Sequence, residues 1–115
     1  MWIFARNGFA SVVKHRDKPD TVLVRCRCKE DAEFFADCLN VEWFTDEQAD
    51  YRYRMEAPQA AVADVLAKLA LDIDYDNFKD SLPAEERVAE SRHRAYMDTW
   101  AAMARFQGRT GGWKW

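Results

Sequence analysis

Histidine is nearly missing from this sequence: His15 and His93 are the only two in 115 residues. Glycine and proline are sparse as well, at four and three. Neither the G-x-G-x-x-G nor the P-loop phosphate cradle is present, and G-x-S-x-G and H-E-x-x-H are missing too. A nucleophilic enzyme needs a base beside its nucleophile, and no such pairing is indicated. His93, among Glu90, Arg92, Arg94 and Asp98, could serve as an acid or base, but a histidine at the edge of a packed helical stripe is the commoner arrangement. The sequence therefore reads as a binding protein before an enzyme, and it implies no cofactor.

No apolar run approaches the 18 residues of a membrane span. The opening "MWIFARNGF" breaks at Arg6 and has no small-residue cleavage site after it, so no secretory leader is expected. Three cysteines are an odd number, which fits reduced thiols and a cytoplasmic location. Charge is not lacking but is unevenly placed. Residues 1–28 carry six Lys/Arg against two acids, residues 29–50 one Lys against eight acids, and the remainder ten of each. A generally basic nucleic-acid domain is excluded, while a local basic face is not.

Apolar residues make up 49% of the chain, enough for a core. "WIFA" and "FASVV" flank Asn7-Gly8, a hairpin signal whose residues accept positive φ; one strand bent at a glycine bulge is the alternative. "TVLVRCRC" alternates Val22, Val24, Cys26 and Cys28 with Leu23, Arg25 and Arg27, the period of a half-buried strand. "KEDAEFFADCLN" predicts a helix with acids in its first turn, an apolar stripe of Phe34, Phe35, Cys38 and Leu39, and Asn40 as a left-handed cap. "VEWFT" and "YRYRMEA" predict a hairpin in which Tyr51, Tyr53 and Met55 face one way and Arg52 and Arg54 the other. "PQAAVADVLAKLALDI" predicts a second helix, with Val62, Val65, Leu66, Leu69 and Ile73 on one face. The last helix is expected over roughly residues 82–107, stopped by Gly108. This order predicts an α+β, ferredoxin-like sandwich of four to five short strands and three helices, the C-terminal one long. Residues 1–107 form a single domain in this reading, and 108–115 a flexible aromatic tail.

Two metal-like spacings fail on chemistry. Asp72, Asp74 and Asp76 alternate as in a calcium loop, but the sixth position is Asn77 rather than Gly and the twelfth is Pro83 rather than Glu. Ile73, Tyr75 and Phe78 then serve as apolar anchors of a connector. Cys26, Cys28 and Cys38 with a histidine would count as a Cys₃His set, but a C-x-C pair within a strand is not a zinc knuckle. No metal site is expected.

The arginines are the informative polar feature. If Val24, Cys26, Tyr53 and Met55 face the core, then Arg25, Arg27, Arg52 and Arg54 share the opposite sheet face. Such a face needs anions: the protein's own glutamates through cross-strand and helix-to-sheet pairs, or a partner's carboxylates or phosphates. Nucleic acid would want aromatics between the arginines, and Tyr51 and Tyr53 alternate to the other side, so a protein partner ranks ahead of RNA. Of five tryptophans, Trp2, Trp43 and Trp100 are expected in the core, whereas Trp113 and Trp115 have no core to join and suit an interface. The candidate binding residues are thus Arg25, Arg27, Arg52, Arg54, Trp113 and Trp115, with self-association left open.

Four blocks, "MWIFARNGFASVV", "DYRYR" at 50–54, "IDYDNFKD" at 73–80 and "RAYMDTWAAMARFQ" at 94–107, resemble a family of small uncharacterised proteins of bacteria and their phages. The resemblance implies a stand-alone cytoplasmic protein and carries no known activity. It suggests, beside protein binding in general, an inhibitor of a host defence or nucleic-acid enzyme. A small enzyme or nucleic-acid binder using the arginine face is the further alternative.

Overall fold

The computed structural model describes residues 1–111; these fall into two compact units, one of Met1–Asp74 and one that begins at Tyr75. The first unit holds β1 (Trp2–Ala5), β2 (Gly8–Lys14), β3 (Thr21–Cys26), α1 (Lys29–Leu39), β4 (Phe44–Thr45), β5 (Tyr53–Pro58) and α2 (Gln59–Leu71). Its five strands form one antiparallel sheet in the order β1-β2-β3-β5-β4. Because β5 runs antiparallel to both β3 and β4, those two are parallel to each other with β5 between them. This strand–helix–strand–strand–helix core is the expected α+β, ferredoxin-like unit. The place on the far side of β3 is filled by β2, from the N-terminal side of the core, and β1 extends the sheet by one strand more.

One sheet face carries the core. Ala10 and Val12 of β2, Val22, Val24 and Cys26 of β3, and Met55 and Ala57 of β5 pack with Ala32, Phe35, Ala36 and Leu39 of α1 and Val62 of α2. Each large side chain buried there contributes about 1.5–3 kcal/mol. The α1 stripe is rotated from the expected one: Phe35 and Leu39 are buried, Phe34 is partly buried, and Cys38 is exposed. Ala32 and Ala36, the small residues at helical spacing, are what allow α1 to approach the sheet closely. Asn40 takes the left-handed cap as expected, at φ 55°, and Val41 N–H closes the motif on Ala36 O at 3.1 Å.

The N-terminal hairpin turns at Arg6-Asn7, one residue earlier than Asn7-Gly8, with Ala5 paired to Gly8. Neither Arg6 nor Asn7 has a positive φ. Gly8 is required for a different reason: an added Cβ would sit 3.2 Å from Phe35 Cε2 and 3.3 Å from Asp31 Cγ. That close approach lets the buried Asp31 carboxylate accept the Phe9 N–H at 2.9 Å. The β2–β3 loop is held by His15, whose Nδ1 accepts the Asp17 and Lys18 N–H groups at 3.0 Å while Nε2 lies 3.3 Å from Glu56.

In the second unit a 3₁₀ turn (Lys79–Ser81) precedes α3 (Arg87–Arg109). Asn77 Oδ1 accepts the Asp80 N–H at 3.1 Å, and Phe78 stacks on the buried Tyr96 while Tyr75 packs tilted, 5.6 Å from the Phe78 ring. Gly108 lies inside α3; the helix ends at Arg109 with Thr110 as its cap, and Gly111 at φ 76° takes the left-handed position after it. Of the expected anchors Tyr75 and Phe78 pack, whereas Ile73 is 54% exposed. Trp43 packs beside Tyr53, but Trp2 and Trp100 are exposed rather than core residues. Among the described residues no helix is long and apolar enough to cross a membrane.

Candidate binding face of the sheet

Helices α1 and α2 pack on the core face, and the alternation that sends Val24 and Met55 inward sends Arg25 and Arg54 to the opposite, outer face. Strand register then aligns one residue from each strand. Trp2 pairs with Ser11, Ser11 with Arg25, Arg25 with Arg54, and Arg54 with Phe44, a single row crossing all five strands. The row begins and ends on exposed aromatic rings, Trp2 at 67% and Phe44 at 47%. Beside Trp2, the rings of Phe4 and Phe9 lie on the same face, with Phe9 6.1 Å and Phe4 6.5 Å from the indole.

The four predicted arginines are not equivalent. Arg27, just past β3, is exposed and ion-paired with Asp50 at 2.8 Å. The hydrogen bond to Asp50 pushes the Arg27 guanidinium up and holds the Asp50 carboxyl below the usual range. Arg52 is exposed and lies before β5, outside the paired register. Arg25 and Arg54 are therefore the two that strand pairing brings side by side. Arg25 Nη2 donates to Ser11 Oγ at 2.7 Å, while its Nε is buried with no hydrogen-bond partner. Arg54 Nη1 donates to the Tyr51 carbonyl at 3.4 Å. Neither guanidinium has a carboxylate in salt-bridge reach among the described residues.

Tyr51 departs from the expected alternation. The chain bends at 49–51 before β5 begins, and the phenol turns to the arginine side. The Arg27 and Arg25 guanidinium carbons lie over its ring, 3.9 and 4.7 Å from the centroid. Such cation–π contacts favour charge on a half-buried face without neutralising it. Glu56, two residues along β5 from Arg54, is engaged elsewhere: Lys18 bonds both its oxygens at 2.9 Å and, with His15, holds its carboxyl below the usual range.

Sequence reasoning missed Trp2, Ser11, Phe44 and Tyr51. The hairpin was its signal for the first two: a two-residue loop at Arg6-Asn7 sets Trp2 opposite Ser11. Trp113 and Trp115 lie outside the described residues. Among the described residues, no group of three His, Cys, Asp or Glu side chains converges to hold a metal ion. Burial pushes the Cys26 thiol up to about 12 and the Cys28 thiol up to about 11, so neither is a ready nucleophile. Comparison of the chain with family models, curated proteins and solved structures gives no match.

Proposed function

We propose that this is a small non-catalytic binding protein that acts through protein–protein contacts made by the outer face of its sheet. One observation carries the reading: Arg25 and Arg54 lie directly opposite each other with no carboxylate in salt-bridge reach among the described residues, in a row that ends on exposed Trp2 and Phe44. Like charges facing each other across a strand pair are unfavourable for the free protein. A partner's carboxylate removes that penalty on binding, and Arg and Trp are the residue types that dominate interface energetics. Three free thiols fit a reducing compartment, so the contacts are assigned to the cytoplasm.

The test is affinity capture from a lysate of the source cells, comparing the wild-type chain with the Arg25→Glu/Arg54→Glu double variant. The partner should be lost from the double variant while its thermal unfolding stays cooperative. Arg27→Gln, which removes a charge already paired to Asp50, should retain the partner. Identical capture by all three proteins would overturn the assignment of this face.

A further inference from the structure

Resting on the outer face as a protein-docking surface, we infer that its occupant is an extended acidic segment lying across the strands. One carboxylate of the segment seats at Arg25 and Arg54, and flanking apolar side chains land on Trp2 and Phe44. The choice of an acid follows from what the seat lacks. Arg25 and Arg54 face each other with no carboxylate in salt-bridge reach among the described residues, and the nearest carboxylates along these strands are committed, Asp50 to Arg27 and Glu56 to Lys18. Asp50 also feels the Arg25 charge at longer range, but its oxygens bond Arg27.

The spacing of the segment follows from the sheet. Neighbouring strands lie about 4.8 Å apart, so the seat between β3 and β5 is about 12 Å from the β1 position of Trp2 and about 7 Å from the β4 position of Phe44. An extended chain advances about 3.3 Å per residue, which makes these steps about four residues and two residues. Both steps are even, so all three side chains point the same way from an extended backbone. The segment therefore reads apolar-x-x-x-acid-x-apolar, or the same spacing in reverse.

Fluorescein-labelled nine-residue peptides test it by anisotropy: one Glu with Leu four residues before and two after, its reverse, and a control with both Leu shifted by one residue. One of the first two should bind. Replacing its Glu by Gln, or using Arg25→Glu or Arg54→Glu protein, should weaken it about tenfold or more. Trp2→Ala and Phe44→Ala should each weaken it several-fold, and Arg54→Gln keeps the test readable if a charge reversal fails to fold. Equal binding of the shifted control overturns the spacing. Tighter binding of oligothymidylate, lost in Arg25→Glu, overturns the protein occupant in favour of single-stranded nucleic acid. If lysate capture depends on Arg25 and Arg54 but no peptide binds, the docking face stands and the extended acidic segment falls.

Discussion

Replacing Arg54 by Glu should make the isolated protein more stable. In the native sheet Arg54 sits opposite Arg25, and its one side-chain hydrogen bond among the described residues, to the Tyr51 carbonyl, is 3.4 Å long. The substitution removes a like-charge cross-strand pair and creates an opposite-charge one, each change worth about 0.2–1 kcal/mol. The long bond to Tyr51, at the edge of hydrogen-bond range, offsets at most about 0.5 kcal/mol of this. The net gain is therefore about 0–2 kcal/mol and about 1 kcal/mol at mid-range, which for a chain of this size raises Tm by about 3–6 °C. Arg54→Gln, which only removes the repulsion, should recover about half of it. Circular dichroism melts at low salt provide the measurement, and in 1 M salt, where the screening length is about 3 Å, the gain should shrink. An Arg54→Glu protein that melts lower than wild type would show that the guanidinium is already satisfied, and the premise of an unfilled anion seat would fail with it. A variant that is more stable yet unable to bind would show the trade-off expected where a surface is shaped for a ligand rather than for the free fold.

Gly8→Ala should destabilise by about 1–3 kcal/mol, since the new methyl meets Phe35 and Asp31 and strains the Asp31–Phe9 hydrogen bond; chemical denaturation measures it. On the acid side, Asp50 and Glu56 are held below their ordinary values of 3.8 and 4.5. Their contribution is present above those values and is lost as pH falls below them, so Arg27→Gln and Lys18→Gln should each flatten the acid limb of a Tm–pH curve. On the alkaline side the sign reverses. Cys26 is raised from 9.0 to about 12, so its contribution is complete below pH 9 and declines as pH climbs toward 12. Cys26→Val should make that limb shallower. With a thiol reagent on the folded protein Cys38 should react first, and a Cys26 that reacts equally fast would contradict its burial.

The parts of the fold legible in the sequence are those where side-chain period and burial agree over a whole element. β3 and β5 alternate cleanly, so Arg25 and Arg54 were readable as outward-facing together. Asn40 was readable as a cap because αL conformation is local chemistry. Tyr51 was not, because alternation fixes the face only within a strand, and the bend at 49–51 resets it. Cys38 and Phe34 were misplaced for a related reason: Ala32 and Ala36 outcompete larger side chains for the contact line when a helix packs closely. Trp2 and Trp100 follow from the one-way nature of hydrophobic burial, which fills the core with apolar residues but does not require every large one to enter it. Gly8 was legible as special but for the wrong cause, since a close approach by another element leaves no mark in the local sequence.

The strand order also governs when the arginine pair comes into being. β1, β2 and β3 follow one another along the chain and adjoin in the sheet, so they can zip up through short loops. β5 reaches β3 only after the chain has passed through α1 and β4, and closing that longer loop is the slower, entropically costlier step. Arg25 and Arg54 therefore meet only in a chain that has completed its last long-range pairing. Any ligand that needs both of them binds the finished sheet and not the N-terminal meander, and by mass action it adds its binding free energy to the β3–β5 pairing, the one long-range closure on which the five-stranded sheet depends.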